Sequence, residues 1–442
     1  MIHIIELIRK INLHEAAEGS EVISHLPHVG ETLYTGEGDS GIAHLSQALK
    51  VIQGKPVEGT LSQKVDGKVS ILFGKENGNA YVQYKGSGAK KLFSEDEIHQ
   101  HITDTGKHYL RDSFLAGFEA AQHAKIGKNH TYQADALVHH DDTSVKGNIL
   151  HYNKPSPSVK ATLAVHSLLN TKTQKKLKSI PNVDFLNSDT LHVPNLSMIS
   201  KEHNPSLEDV EAIQNHIASA KTIHKDKDVA RLSKQISQHR DEKNPDGNVG
   251  HRHQHFVSFS NKVQAGRFNR TSDDMLSWTK SQIDNSKGLA KTRLEGHHAF
   301  IQEHKDAVDK LFQMHNHVDA ARTHVINALN ASNPELEPID PDTGKVNHNY
   351  SEGFVSHIEG HGMVKFVPTE FTRRNNENKD RFKQVKEEMA VGTGAGLAGL
   401  AGLGGPEDVA VSVAAQKRYT KKGPMRRRKM VEQFLDFNNL MK

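Results

Sequence analysis

Lys64-Val65-Asp66-Gly67 places an amine, a carboxylate and a glycine side by side between two strand-like runs, Gly59 to Gln63 and Val69 to Gly74. A lysine amine is protonated at its ordinary pKa of about 10.4. It becomes a nucleophile only when cationic neighbours or loss of water depress that value. Asp66 opposes such a shift if it lies close. Two residues along a strand, its side chain points the same way as that of Lys64, so in a nucleophilic site it serves a bound ligand, a metal or the turn rather than simply pairing with the lysine. Gly67 accepts positive φ and lets a ligand approach the backbone. The alternative reading is a charged hairpin turn.

The elements that follow carry further candidates. Ser70 to Gly74 and the alternating run Ala80 to Gly86 flank the turn Glu76-Asn77-Gly78-Asn79, which predicts a hairpin ending on the basic residue Lys85. Thr131 to Val138 reads as a short strand with one carboxylate, Asp135, and Ala161 to Leu168 as a mostly apolar strand. Far downstream stand Glu352-Gly353-Phe354-Val355 and Met363-Val364-Lys365-Phe366-Val367.

This order of lysine turn, acidic strand, apolar strand, Glu-Gly strand and lysine strand resembles the nucleotidyltransferase superfamily of polynucleotide ligases and mRNA capping enzymes. Within that superfamily the chain more closely resembles the ligase-like proteins of T-even-type bacteriophages and their cyanophage and marine relatives. The likeness lies in His25 to His28 with the Gly/Asp-rich stretch after it, Ser62 to Gly67, Tyr132 to Asp135, Glu352 to Val355, and Val364 to Val367 running into Glu370-Phe371. It covers roughly residues 20 to 170 and 350 to 375. The resemblance implies an α+β fold whose core is an antiparallel-sheet nucleotidyltransferase of the ATP-grasp-like ligase adenylation kind. It implies ATP and magnesium as cofactors, with Lys64 forming the lysyl-nucleotide bond. Asp66, Gly67, Lys85, Asp135, Glu352 and Lys365 then surround the nucleotide. Asp135 and Glu352 hold the ribose or the metal, and Lys365 contacts the α-phosphate. Each carboxylate could instead be a solvated strand end, and Lys85 a charge blunting an edge strand. Two departures stand out. Ala134 occupies the place of a glycine before the acidic residue, and Val367 the place of a second lysine.

Composition sets the outer bounds. A chain of 442 residues exceeds one typical domain. Its 35% hydrophobic content and mean hydropathy of −0.64 describe a polar protein with modest cores. With no cysteine, disulfides, thiolate zinc sites and thiol catalysis are excluded. Met1 to Leu13 reads as an amphipathic helix, neither signal peptide nor membrane span, and no membrane partner is expected. The expected setting is the host cytoplasm or the phage virion.

Residues 200–335 change character. Ser206 reads as an N-cap with Asp209 three residues on, followed by helical periodicity in Val210, Ile213 and Ile217 and again from Phe300 to Leu329. This region reads as a helical insertion projecting from the core. The organisation expected is an N-terminal helical segment (1–50), core strands (51–199), insertion (200–335), last core strands (336–375), and a tail (376–442). Within the tail, Val391 to Gly405 reads as a Gly/Ala/Leu linker, Asn375 to Val391 and Arg426 to Met441 as polar helices, and no run of alternating strands suggests an OB barrel. Eight Lys/Arg residues without an acid, Lys417 to Lys429, are the footprint of a nucleic-acid contact or a solvated basic tail. Histidine is abundant, 31 in all, clustering at His251, His253 and His255, at His297 and His298, and at His315, His317 and His324. The spacings match no zinc pattern, so a polar helical composition is the expected explanation. His139 to Asp142, beside the acidic strand, reads as a solvated loop. Two functions remain open: an ATP-dependent ligase-like nucleotidyltransferase acting on RNA or DNA ends, and a virion-associated protein that keeps the fold and contacts nucleic acid or other virion proteins.

Overall fold

The computed structural model describes residues 26–35, 38–65, 67, 69–85, 89–128, 130–138, 144–146, 150–171, 183–238, 251–340 and 342–373. All of them fall in one compact unit, Met1–Arg381. Asp66, His139 to Asp142, the segment Met1 to Leu13, the Gly/Ala/Leu stretch, both polar helices expected in the tail and the basic block lie outside the described residues.

The fold is mixed α and β, with antiparallel sheets. Strands β2 (Val69–Glu76) and β3 (Asn79–Tyr84) form the expected hairpin, closed by Asn77 and Gly78 at φ 52° and 88°. Both residues take positive φ, the turn that matches the right-handed twist of the flanking strands. They join β4 (His130–Val138), β7 (Ala161–Asn170) and β8 (Leu191–His192) in a five-stranded sheet of order β3-β2-β4-β7-β8, parallel only at its last pair. A second sheet, order β1-β10-β11, is built from β1 (Thr60–Gln63), β10 (Phe354–Ile358) and β11 (Gly362–Phe366). A small third sheet joins Ser144–Lys146, His151–Asn153 and Pro338–Ile339 as β5, β6 and β9.

Alternation along the strands gives the large sheet two unlike faces. Val69, Ile71, Phe73, Val82, Ala134, Ala136 and Val165 form one core with Ile98 and Ile102 of α2 (Glu95–Thr105) and Phe114 and Phe118 of α3 (Arg111–His123). The residues between them, Ser70, Gln83, Gln133 and Asp135, are left to the opposite face.

The helical region is helical as its periodicity predicts, through α4 (Leu207–His224), α5 (Lys227–Gln238), α6 (His251–Gln264), α7 (Ser272–Asp284), α8 (Gly288–Glu303) and α9 (Lys305–Asn330). Ser206 caps α4, accepting the Asp209 N–H at 3.0 Å. The region does not project as an independent lobe. Its apolar residues Ile213, Phe312, Val318 and Val325 share one core with Leu61, Phe354, Val364 and Phe366 of the second sheet, and with Ile42, Leu45 and Ile52 of the helix Gly38–Ile52 (α1). The sheet face formed by Leu61, Phe354, Val364 and Phe366 must be buried, and these helices cover it. Helix α1, placed at sequence level in a separate N-terminal segment, therefore belongs with this layer.

Several of the clustered histidines are core residues. His255 stacks on Trp278 and His297, with ring centroids 4.6 and 4.9 Å away, and His315 accepts or donates a 2.6 Å hydrogen bond with the Tyr34 hydroxyl. Burial pushes the imidazoles of His255 and His315 down to about 4 and about 3. Among the described residues no group of three or more His, Asp or Glu side chains is placed to hold a metal ion.

Candidate active site

Lys64 is not on a hairpin. Strand β1, which it follows, lies in the second sheet, whereas β2, which begins at Val69, lies in the first, so the lysine segment crosses from one sheet to the other. The Lys64 backbone N–H donates to the Gly353 carbonyl at 2.8 Å, extending the β1–β10 ladder by one residue. Its ammonium is ion-paired with Glu352 Oε1. The other oxygen of Glu352, Oε2, is buried without a hydrogen-bond partner among the described residues.

Gly353 sets the position of Glu352. It sits at φ +96°, and a Cβ there would lie 1.8 Å from the Phe366 carbonyl oxygen. Only glycine lets the chain pass beneath β11 at this point. Gly67 meets a similar constraint on the other side, since a Cβ there would fall 2.3 Å from Asp135 Cβ. The lysine segment is thus seated directly on the acidic strand.

Lys85, Ser70 and Asp135 form one row across β3, β2 and β4. Ser70 is in register with Asp135, and the Lys85 N–H donates to the Ser70 carbonyl at 3.3 Å. Residues opposite one another in such a row present their side chains to the same face. His166 joins them, with its Nε2 3.7 Å from Asp135 Oδ1. The register between β4 and β7 shifts at Gln133/Ala134, pairing Gln133 with Ser167 and Ala134 with Val165, so His166 is the bulged, unpaired residue. A bulge re-aims a side chain, and for that reason His166 was missed in an otherwise apolar run. Burial alone would raise the Asp135 carboxyl, but His166, Ser70 and Lys85 beside it outweigh that effect and hold its pKa below the ordinary carboxylate value.

Lys365 lies on the other wall. Ser62, Val355 and Lys365 are aligned across the second sheet, which puts Lys365 on the face opposite the helices, the face toward which β1 carries the chain into Lys64. Strand β11 is held on its outer side by residues 27–29: the Lys365 N–H donates to the Pro27 carbonyl at 3.0 Å, and the Lys365 carbonyl accepts from Val29 N–H at 3.2 Å. Glu31 is near enough for the Lys365 charge to oppose the rise that burial imposes on its pKa. Neither Glu31 nor this edge pairing was read from sequence; the pattern His25 to His28 was the sole trace of it.

The two walls meet in a small apolar cluster containing Val65, Leu137, Ala164 and Val367. Each of these four is one or two residues from a candidate or directly opposite one: Val65 beside Lys64, Leu137 after Asp135, Ala164 paired with Asp135, Val367 after Lys365. Lys64, Gly67, Glu352 and Lys365 from one side, and Lys85, Asp135 and His166 from the other, are thereby brought to one junction between sheets. A family described as of unknown function, DUF6267, matches residues 24–379. The chain belongs to DUF6267. The DUF6267 match takes in both walls of the junction and the whole helical layer, while the basic block at Lys417 to Lys429 lies beyond it. No curated protein and no solved structure matches the chain.

Proposed function

We propose that this DUF6267 protein is a ligase-like nucleotidyltransferase that forms a lysyl-nucleotide bond at Lys64. The observation that carries the reading is the Lys64–Glu352 pair, drawn from segments 288 residues apart, with a buried Glu352 oxygen left over. In the reaction, Lys64 gives a proton to Glu352 and its neutral amine attacks the α-phosphorus. The phosphorus–oxygen bond to pyrophosphate breaks, pyrophosphate leaves, and the nitrogen sheds its second proton to solvent. Lys365 and Lys85 offset the charge on the phosphate oxygens. Asp135, kept ionised, and the spare oxygen of Glu352 are a donor set suited to magnesium or to ribose hydroxyls. Magnesium, when bound, supplies further neutralisation of phosphate charge. The nucleotide acceptor in this reading is an RNA or DNA end.

Val367 favours a second reading, a virion-associated protein that retains the fold without full sealing activity. It is 4% exposed in the apolar cluster, so the place of a second phosphate-binding lysine is filled by core.

The test is incubation with α-labelled ATP or GTP and a divalent cation, followed by denaturing electrophoresis. Covalent label on the wild type and none on Lys64→Ala is the expected result. Absence of label from the wild type with either nucleotide and any divalent ion overturns the enzyme reading and leaves the second.

A further inference from the structure

Helices α4 and α9 pack antiparallel along most of their length, and this brings together residues that the linear clusters do not connect. His216 and Asp209 are seven residues apart on α4; His317 and His324 are seven apart on α9. His216 faces His317 with the two Nδ1 atoms 3.0 Å apart and ring centroids 5.3 Å apart. His324 stacks on His216 at 6.2 Å and 24°, and its own Nδ1 is 2.8 Å from Asp209 Oδ1. All three rings are half-buried, reachable from solvent.

The geometry points to a transition-metal site at His216 and His317 that staples α4 to α9. Two imidazole nitrogens bound to one ion at about 2.0–2.1 Å, at angles between square and tetrahedral, lie about 2.8–3.4 Å apart; the pair already stands at 3.0 Å. An all-nitrogen imidazole set selects zinc, copper or nickel over magnesium or calcium. His324, held by its hydrogen bond to Asp209, stacks against the His216 ring and limits its rotation. Water fills the remaining positions, because the third imidazole is engaged by Asp209. This site is separate from the Lys64 junction and independent of the function proposed there.

The test uses full-length protein stripped with EDTA and titrated with zinc against a chromophoric chelator. His216→Asn and His317→Asn are each expected to weaken the tightest zinc site at least tenfold. The exposed control His99→Asn leaves it unchanged. Equal affinity in the wild type and both variants overturns the proposal and makes the contact a hydrogen bond alone. Should either variant fail to fold, electron paramagnetic resonance of the wild type with one equivalent of copper(II) decides: two equatorial imidazole nitrogens support the site, and one or none refutes it.

Discussion

Lys64 and Glu352 form an ion pair across 288 residues of sequence. The side chains are 26% and 10% exposed, so the contact is screened less than a surface pair and each partner depends on the other. Removing the amine alone leaves the Glu352 carboxylate buried and uncompensated. Lys64→Met should therefore cost about 1–3 kcal/mol of stability at neutral pH, and the double variant Lys64→Met/Glu352→Gln should recover most of it. Urea unfolding of the four proteins gives the coupling. Additive losses would show that the pair contributes nothing beyond its members.

The two glycines that seat the junction should respond differently. Gly353→Ala combines an unfavourable φ with a collision against the Phe366 backbone, which cannot give way without breaking the β10–β11 ladder. Loss of more than about 3 kcal/mol, or failure to accumulate as folded protein, is expected. Gly67→Ala pushes the lysine segment off Asp135, and any labelling of Lys64 should drop at least tenfold while the melting temperature falls less than for Gly353→Ala. The reverse ranking of melting temperatures would remove Gly353 from its structural role.

Acid should loosen the protein through its buried histidines as the pH falls below about 6.5. His44, hydrogen-bonded through Nδ1 to Ser356 Oγ at 2.8 Å, and His255 are both pushed down to about 4 by burial. Unfolded, each titrates near 6.5. Between those values the unfolded chain takes up protons that the folded chain refuses. Their contribution to stability is therefore complete above pH 6.5 and declines toward pH 4, at no more than about 1.4 kcal/mol per pH unit for each histidine. Glu31, raised by burial, works in the opposite sense at the acid end. Asp135, with a depressed pKa, contributes above the unfolded carboxylate value and loses that contribution only as pH falls below it. Urea midpoints at pH 7.5 and pH 5 should differ, with His44→Asn narrowing the gap; identical midpoints in the wild type would rule this account out.

The basic block is expected to supply most nonspecific nucleic-acid affinity. Each lysine or arginine contact with phosphate releases counterions, so log K falls with log salt by about 0.7–0.9 per contact. Deleting residues 417–442 should flatten that slope while any labelling of Lys64 persists. If the slope survives truncation, the nucleic-acid contact lies elsewhere on the chain.

Local chemistry alone determined much of this molecule. The Asn77-Gly78 turn, the alternation of β2, β3 and β4, the Ser206 cap and the periodicity of the helical region are short-range consequences of backbone conformation and apolar spacing, legible in single segments. The candidates Lys64, Lys85, Asp135, Glu352 and Lys365 could likewise be named from residue type and order, and Gly67 and Gly353 from their place beside them. What only tertiary structure decided is where those segments sit. That Lys64 crosses between sheets rather than capping a hairpin depends on β1 pairing with β10, a partner nearly 300 residues away. His166 reaches Asp135 because a bulge shifts the β4–β7 register, and His216 reaches His317 because two helices pack antiparallel. The helical region joins the second sheet because the apolar face of that sheet needs cover. Long-range pairing, register and layer packing are properties of surfaces that meet only after the chain has folded, and the spacing of residues along one segment carries no record of them.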